Sequence, residues 1–250
     1  MPTSQDNIVV AFDAYGTLLS TESIADKLAT HFGQAKAQTI AATWRKYQLE
    51  YTWRLNSMNQ YEPFSSVTRN ALHHALSEAR ESLSDEAVDA LLDAYDALSV
   101  FADVPRCLRA LASKPTIAPV VFSNGTLDMV SSSVQRSPSL EPLASIFADI
   151  VVVDPVRRYK PHPAVYDYLA ARVGKSADEA RDMWVVSGNP FDVVGARAAG
   201  MRAAWVDRQG GGWQDRLCGE EKTWAPTVVL RSLDELPAVL EGGASSSVGA

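Results

Sequence analysis

Cysteine is scarce in this chain: two of its 250 residues are Cys, Cys107 and Cys218, and no metal-ligand pattern surrounds either of them. We therefore expect no disulfide framework, and we predict two passive thiols in a reducing, cytoplasmic compartment. Positive charge is also in deficit, because the formal net charge is -7. A surface of that sign argues against nucleic acid and anionic membranes as partners.

Long apolar runs are missing as well. No segment approaches the ~18 apolar residues of a membrane span, and the polar residues 1–7 lack the regions of a signal peptide. What is present, 46% hydrophobic and 21% charged residues, is ordinary for a globular protein. A chain of 250 residues can bury a core of one large domain, or of a domain with an insertion.

The predicted elements fall into two kinds. A Val-rich strand at 9–12 is followed by almost continuous helix, with segments at 22–32, 35–58, 65–79 and 85–98. From residue 103 helices alternate with strands at 118–122, 149–153, 183–186, 203–206 and 227–230. A last helix at 233–240 is predicted to open with a capping box of Ser232 and Glu235. This alternation is typical of an α/β protein whose parallel sheet carries helices on both faces.

The helical stretch interrupts the alternating pattern directly after the first strand, where a lid would lie. We therefore predict a core domain of residues 1–19 and 99–241 and an inserted helical cap domain of residues 20–98. The Gly- and Ser-rich residues 242–250 are predicted to form a disordered tail.

Polar side chains follow the ends of four predicted strands. Asp13 follows the first strand, where it either caps the turn at Gly16 or takes part in a ligand site. The other strand ends leave similar alternatives open. Ser123 and Asn124 form an anion-binding corner or act as helix N-caps; Lys160 serves the site or is an exposed loop lysine; Asp192 serves the site or stabilises a helix start.

Taken together in this chain order, the motifs resemble the haloacid dehalogenase superfamily, and most closely its type II (L-2-haloacid) dehalogenases. The resemblance rests on residues 12–18, 44–45, 48–53, 123–125, 160–161 and 164–166, and on positions 187, 189, 191 and 192. It implies a Rossmann-like core with a helical cap and an active site between them. The catalytic residues that it implies are Asp13, Thr17, Arg45, Ser123, Lys160, Tyr166, Ser187, Asn189 and Asp192. The substrate-binding residues that it implies are Ala14, Tyr15, Arg45, Leu49, Trp53, Phe64, Ser123, Asn124 and Phe191.

Arg45 lacks an acidic partner three or four residues away on its own predicted helix, so an anion from elsewhere would complement it. Its planar fork suits a carboxylate, although an exposed Arg with a packed stem is the alternative. Leu49 and Trp53 repeat on the same helix face, and with the aromatic residues they would wall an apolar pocket or fill the core of the cap.

Two acidic positions that phosphatases of this superfamily use are occupied by Tyr15 and Asn189, so a Mg²⁺ site is poorly provided and we predict no metal and no cofactor. The function predicted is an (S)-2-haloacid dehalogenase that forms an ester on Asp13, which water activated near Asp192 then cleaves. Its partners would be a small 2-haloacid substrate and the halide product. The resemblance also implies that the protein forms a homodimer. A Mg²⁺-dependent small-molecule phosphatase and a catalytically silent carboxylate-binding protein are the alternatives.

Overall fold

The computed structural model describes residues 7–217 and 224–244, and its centre is a six-stranded sheet in the order β3-β2-β1-β4-β5-β6. The strands are β1 Ile8–Phe12, β2 Ile117–Ser123, β3 Ile150–Val152, β4 Met183–Ser187, β5 Arg202–Val206 and β6 Val228–Leu230. Every neighbouring pair is parallel. The predicted α/β class and parallel sheet are confirmed, and this strand order is that of a doubly wound fold.

The α-helices follow the predicted pattern closely. They are α1 Ile24–Phe32, α2 Gln34–Ser57, α3 Phe64–Glu78, α4 Asp85–Tyr95, α5 Val104–Ala112, α6 Leu127–Arg136, α7 Pro163–Arg172, α8 Pro190–Ala198 and α9 Leu236–Ala244. We refer to α1–α4, which lie between β1 and β2, as the helical insert. Gly33 separates α1 from α2 at φ 74°, a backbone conformation that favours glycine. The assignment of residues 20–98 to a separate domain stays a prediction.

Strand β1 lies in the middle of the sheet because both of its edges are paired, with β2 and with β4. The side chains of Val9, Val10 and Phe12 are completely buried, and each contributes about 1.5–3 kcal/mol of hydrophobic stabilisation. The chain reverses the direction of strand addition between β1 and β4. Ligands of open α/β sheets bind at the carboxyl ends of the strands at such a point, and Asp13 follows β1 there.

Two connections join the helical insert to the sheet, and they pair with each other. The backbone N–H of Ser20 donates to the carbonyl of Ser99 at 2.8 Å, and that of Phe101 donates to Leu18 at 3.2 Å. This extended pairing explains why α4 ends at Tyr95 and not at residue 98 as predicted.

The C-terminal predictions need two corrections. The Ser232 hydroxyl accepts from the N–H of Asp234 and the Glu235 carboxylate accepts from the N–H of Arg231, so the predicted capping box is wrong. The last helix was predicted to end at residue 240, whereas α9 continues to Ala244; residues 245–250 of the predicted tail and Cys218 lie outside the described residues. Cys107 is buried, and burial raises the pKa of its thiol to about 12. No described helix has the length and apolarity to span a bilayer.

Candidate active site

The carboxylate of Asp13 has two oxygens in different environments. Its Oδ2 accepts hydrogen bonds from Asn189 Nδ2 at 2.7 Å, Thr17 Oγ1 at 2.8 Å and Ser187 Oγ at 3.4 Å. Its Oδ1 lies 3.3 Å from Lys160 Nζ, and no other described residue hydrogen bonds to it. All four neighbours are donors, which is the environment of a carboxylate. The arrangement fixes one oxygen and leaves the other beside a cation.

Lys160 is completely buried, which excludes the alternative of an exposed loop lysine. Besides Asp13, its ammonium donates to Asp192 Oδ2 at 2.8 Å and to the carbonyl of Phe122 at 2.7 Å, and it lies 3.9 Å from the centroid of the Phe122 ring. A buried ammonium is tolerated when carboxylates and carbonyls replace its water. Lys160 therefore contacts both acidic side chains, Asp13 after β1 and Asp192 in α8, and the three form one buried ionic cluster.

Asp192 lies in the first turn of α8 and is also completely buried. Its Oδ1 accepts from the Tyr166 hydroxyl at 2.8 Å. Burial raises the pKa of Asp192, Lys160 opposes that increase, and the Asp13 carboxylate adds to it. Burial and the neighbouring Asp192 also raise the pKa of Tyr166, which keeps its hydroxyl protonated as a donor.

The turns after β1 and β4 are joined through Thr17. Its hydroxyl donates to Asp13 and accepts from the backbone N–H of Gly188 at 2.9 Å. A Cβ atom at residue 188 would lie 2.5 Å from the carbonyl oxygen of Gly16, so only glycine fits there. Gly188 is a residue of the site that the sequence did not single out, although it lies between Ser187 and Asn189.

Ser123 and Asn124 do not cap a helix, since Thr126 is the N-cap of α6 and its side chain accepts from Met129. The Ser123 hydroxyl accepts from the N–H of Gly125 at 3.0 Å. Asn124 Oδ1 accepts from the backbone N–H of Lys160 at 2.9 Å, so Asn124 holds the lysine loop. The structure thus excludes the N-cap alternative, and it places Ser123 outside the hydrogen-bonded network of Asp13.

Arg45 reaches the same site from α2. Its Nη2 donates to the carbonyl of Tyr15 at 3.3 Å and to Asn189 Oδ1 at 3.4 Å, and it forms no ion pair with any described residue. It lines a cleft of about 650 Å³ between α1 and α2 whose rim includes the acidic residues Glu22 and Asp26. A half-buried guanidinium with two long bonds to neutral oxygens has donors left for an anion.

The predicted apolar wall divides into two parts. The Tyr15 ring is buried against Phe64, with 5.8 Å between ring centroids, and Ala14 is buried beside it. Trp53 is 41% exposed and meets Phe191 edge to face, with 5.7 Å between centroids. That pair lines an apolar cleft of about 630 Å³ on the other side of the Lys160 loop, with Asn56, Ser57, Pro161, His162, Val194, Asp215 and Leu217. Leu49 is half-buried on the same helix.

A family model described as haloacid dehalogenase-like hydrolase matches residues 9–200. The chain belongs to that family. It is 32% identical over 227 residues to an (S)-2-haloacid dehalogenase of Pseudomonas sp. (strain YL), which covers 91% of this chain and 93% of the relative. It is 32% identical over 201 residues to haloacetate dehalogenase H-2 of Moraxella sp. (strain B), covering 80% and 86%.

A solved structure gives the same result for the fold. The L-2-haloacid dehalogenase from Xanthobacter autotrophicus with chloropropionic acid covalently bound superposes with a TM-score of 0.79 at 28% identity, over 94% of this chain and 99% of that chain. In this haloacid dehalogenase-like hydrolase, no three His, Cys, Asp or Glu side chains of the described residues are grouped so that they could hold a metal ion. The roles of the predicted site residues stay predictions.

Proposed function

We propose that this protein is an (S)-2-haloacid dehalogenase that converts short L-2-haloalkanoic acids to (R)-2-hydroxy acids and halide. The observation that carries this proposal is the asymmetry of Asp13, whose Oδ2 is held by three donors while Oδ1 faces the Lys160 ammonium. Because the Lys160 contact is its one hydrogen bond from a described residue, Oδ1 keeps an electron pair for attack on carbon. The assigned activities of the relatives support the same reaction.

The substrate carboxylate would bind to the planar fork of Arg45, with Ser123 and Asn124 on its other side. Such an anchor, together with Asp13, fixes the direction from which the α-carbon is approached. The alkyl group and the departing halogen would lie against one part of the apolar wall, the buried rings of Tyr15 and Phe64 together with Leu49. Trp53 and Phe191 would belong to the separate cleft that they line.

The first step is a displacement at carbon. Asp13 Oδ1 attacks the α-carbon from the face opposite the halogen, so that a carbon–oxygen bond forms while the carbon–halogen bond breaks. The halide leaves with the electron pair of that bond, and the configuration of the carbon inverts. No proton is needed for the leaving group, which accounts for Tyr15 at a position where phosphatases of the superfamily carry an acidic residue.

The second step is hydrolysis of the ester. Water transfers a proton to Asp192 and its oxygen attacks the carbonyl carbon of Asp13; the bond to the product oxygen then breaks, and that oxygen receives the proton. A base with a pKa raised by burial suits this task, and Asp192 has such a pKa. Lys160, 2.8 Å from Asp192 and 3.3 Å from Asp13, stabilises charge on both carboxyl groups.

Halide release from (S)-2-chloropropionate, measured beside phosphate release from p-nitrophenyl phosphate, tests the proposal. Each reaction is run with EDTA and with added Mg²⁺, and Asp13→Asn is the inactive control. We expect halide release that EDTA does not diminish, because Tyr15 and Asn189 occupy the acidic positions that a Mg²⁺ site would need. Phosphate release dependent on Mg²⁺, without halide release, would establish the phosphatase instead.

A single turnover in water enriched in ¹⁸O tests the role of Asp13. With enzyme in excess, the product hydroxyl should be unlabelled and the label should appear in the peptide that contains Asp13. Labelled product in the first turnover would mean that Asp13 activates water and forms no ester.

We also propose a cytoplasmic homodimer that acts on small molecules alone. The low cysteine content supports the compartment, and resemblance to the type II dehalogenases supports the dimer. Light scattering of the purified protein would measure the oligomeric state.

A further inference from the structure

Asn56, which the sequence analysis did not single out, links the helical insert to the loop that carries Lys160. It lies in the last turn of α2, and its Nδ2 donates to the carbonyl of Tyr159 at 2.7 Å. The backbone N–H of Tyr159 donates back to Asn56 Oδ1 at 2.9 Å. One side-chain amide thus satisfies both backbone groups of a residue 103 positions away, as a neighbouring strand would.

Tyr159 directly precedes Lys160, and the segment is held on its other side as well. The N–H of Lys160 donates to Asn124 Oδ1 at 2.9 Å. The Tyr159 ring is completely buried, its hydroxyl donates to the carbonyl of Glu62, and its centroid lies 5.2 Å from that of Tyr61. Neither Tyr159 nor Lys160 belongs to a helix or a strand. The carbonyl of Tyr159 also accepts from the backbone N–H of His162 at 2.9 Å. Side-chain amides therefore bind the N–H groups of both residues and share the carbonyl of Tyr159 with a backbone turn.

The position of this loop decides what the Lys160 ammonium can contact. Its three oxygen neighbours lie at 2.7 Å, 2.8 Å and 3.3 Å, so a displacement of about 1 Å would break one contact or more. We propose that Asn56 is a positioning residue, which holds Lys160 between Asp13 and Asp192 through the backbone of Tyr159. The inference rests on the proposed function, because it assigns to Asn56 a share in the same two steps.

Helix α2 then contributes to the site at two points. Arg45 lies eleven residues before Asn56, which places it about 16 Å away along the helix at 1.5 Å per residue. The bonds of Arg45 to the sheet side, at 3.3 Å and 3.4 Å, are long, whereas those of Asn56 are short. Helix α2 therefore contacts the site through two long bonds at Arg45 and two short bonds at Asn56.

The kinetic test compares three variants with the wild type on (S)-2-chloropropionate. Asn56→Leu keeps the approximate size and removes both bonds, and we expect kcat to fall at least tenfold while KM changes less than threefold. The control is Arg158→Ala, since Arg158 Nη2 donates to Asn59 Oδ1 at 3.4 Å between the same two stretches of chain, and this side-chain contact does not involve the backbone N–H or carbonyl of Tyr159. It should keep kcat within twofold. A folded Asn56→Leu variant with wild-type kcat would overturn the proposal.

Asn56→Asp adds a pH readout that a merely structural role would not move. An ionised Asp accepts from the N–H of Tyr159 but cannot donate to its carbonyl, whereas a protonated Asp does both. Because an ordinary Asp has a pKa of about 3.9, the ratio of kcat between this variant and the wild type should rise at least threefold from pH 7 to pH 4. A ratio that stays constant with pH contradicts the assigned pair of bonds.

Labelling with acetic anhydride, read by peptide mass spectrometry, tests the position of Lys160 without relying on activity. In Asn56→Leu, Lys160 should react at least fivefold faster than in the wild type, with exposed Lys36 as the internal standard. The reference for general loosening is Lys175, whose side chain is 2% exposed. An equal rise at Lys175, or no rise at Lys160, refutes the positioning role. A wild type that releases no halide would refute the proposed function, while the labelling result would still decide the role of Asn56.

Discussion

Replacing Lys160 by Met should lower the stability of the protein and abolish its activity. The ammonium lies between the carboxylates of Asp13 and Asp192, and its side chain is 1% exposed. Methionine has nearly the same shape but carries no charge, so both carboxylates would lose their buried cation. Breaking a buried ion pair by removing one partner costs about 3–5 kcal/mol, because the remaining charge is left uncompensated. We expect a loss of that size at pH 7.5 and no measurable halide release.

The loss should depend on pH in a defined direction. Burial already raises the pKa of Asp192, and Lys160 is the group that opposes the increase. Without Lys160 the pKa of Asp192 in the folded protein therefore rises further above its unfolded value of about 3.9. While it is ionised, a carboxyl group with a raised pKa lowers the free energy of unfolding. This destabilisation decreases as the pH falls below the folded pKa and the group becomes protonated. The deficit of the variant should shrink between pH 7.5 and pH 5.

Urea unfolding at both pH values measures this effect, with two matched variants. Adding Asp192→Asn to Lys160→Met removes one of the two carboxylates and should recover most of the stability without restoring activity. Lys36→Met breaks the surface pair with Glu81 and should change stability by no more than about 1 kcal/mol. If Lys160→Met is as stable as the wild type at pH 7.5, the two carboxylates do not depend on the lysine and the electrostatic account of the site is wrong.

Other outcomes follow from single contacts. Arg45→Lys keeps the charge but loses the planar fork, so kcat/KM should fall more than tenfold, or more than ~1.4 kcal/mol; near wild-type kinetics would remove Arg45 from the mechanism. Thr17→Val removes one donor to Asp13, and a hydrogen bond to a charged group is worth about 1.5–3 kcal/mol, so kcat should fall about 10- to 100-fold; an unchanged kcat would contradict this. Burial raises the pKa of Asp96 to about 6, so Asp96→Asn should stabilise the fold by about 1 kcal/mol at pH 8; in urea unfolding this gain should decrease as the pH falls through 6 and vanish near the unfolded pKa of about 3.9.

Local patterns predicted most of the fold. The helix at Leu127–Arg136 and the Val-rich strand β1 follow from apolar periodicity and run length. The predicted end of the fourth insert helix was wrong because residues 99–101 pair with residues 18–20, a contact between distant segments. The capping box at Ser232 failed for a local reason: the Asp234 N–H took the bond expected for the N–H of Glu235.

In the candidate site, the sequence could predict those functional groups that belong to side chains. Asp13, Lys160 and Asp192 stand at strand or helix ends, where a sequence pattern marks them, and the structure brings them together. The carbonyl of Phe122 and the N–H of Gly188 contribute backbone groups, which every residue has, so no residue type indicates them. Asn56 could not be found from the sequence, because its partner lies 103 positions away.

The three donors around Asp13 Oδ2 acquire a second role once the ester exists. Oδ1 then belongs to the ester linkage, and Oδ2 is the carbonyl oxygen on which negative charge develops when water attacks. Asn189, Thr17 and Ser187, at 2.7 Å, 2.8 Å and 3.4 Å, already surround that atom, so in the proposed mechanism they would form an oxyanion hole before the reaction begins. The same contacts that orient the nucleophile in the first step would then stabilise the tetrahedral intermediate of the second.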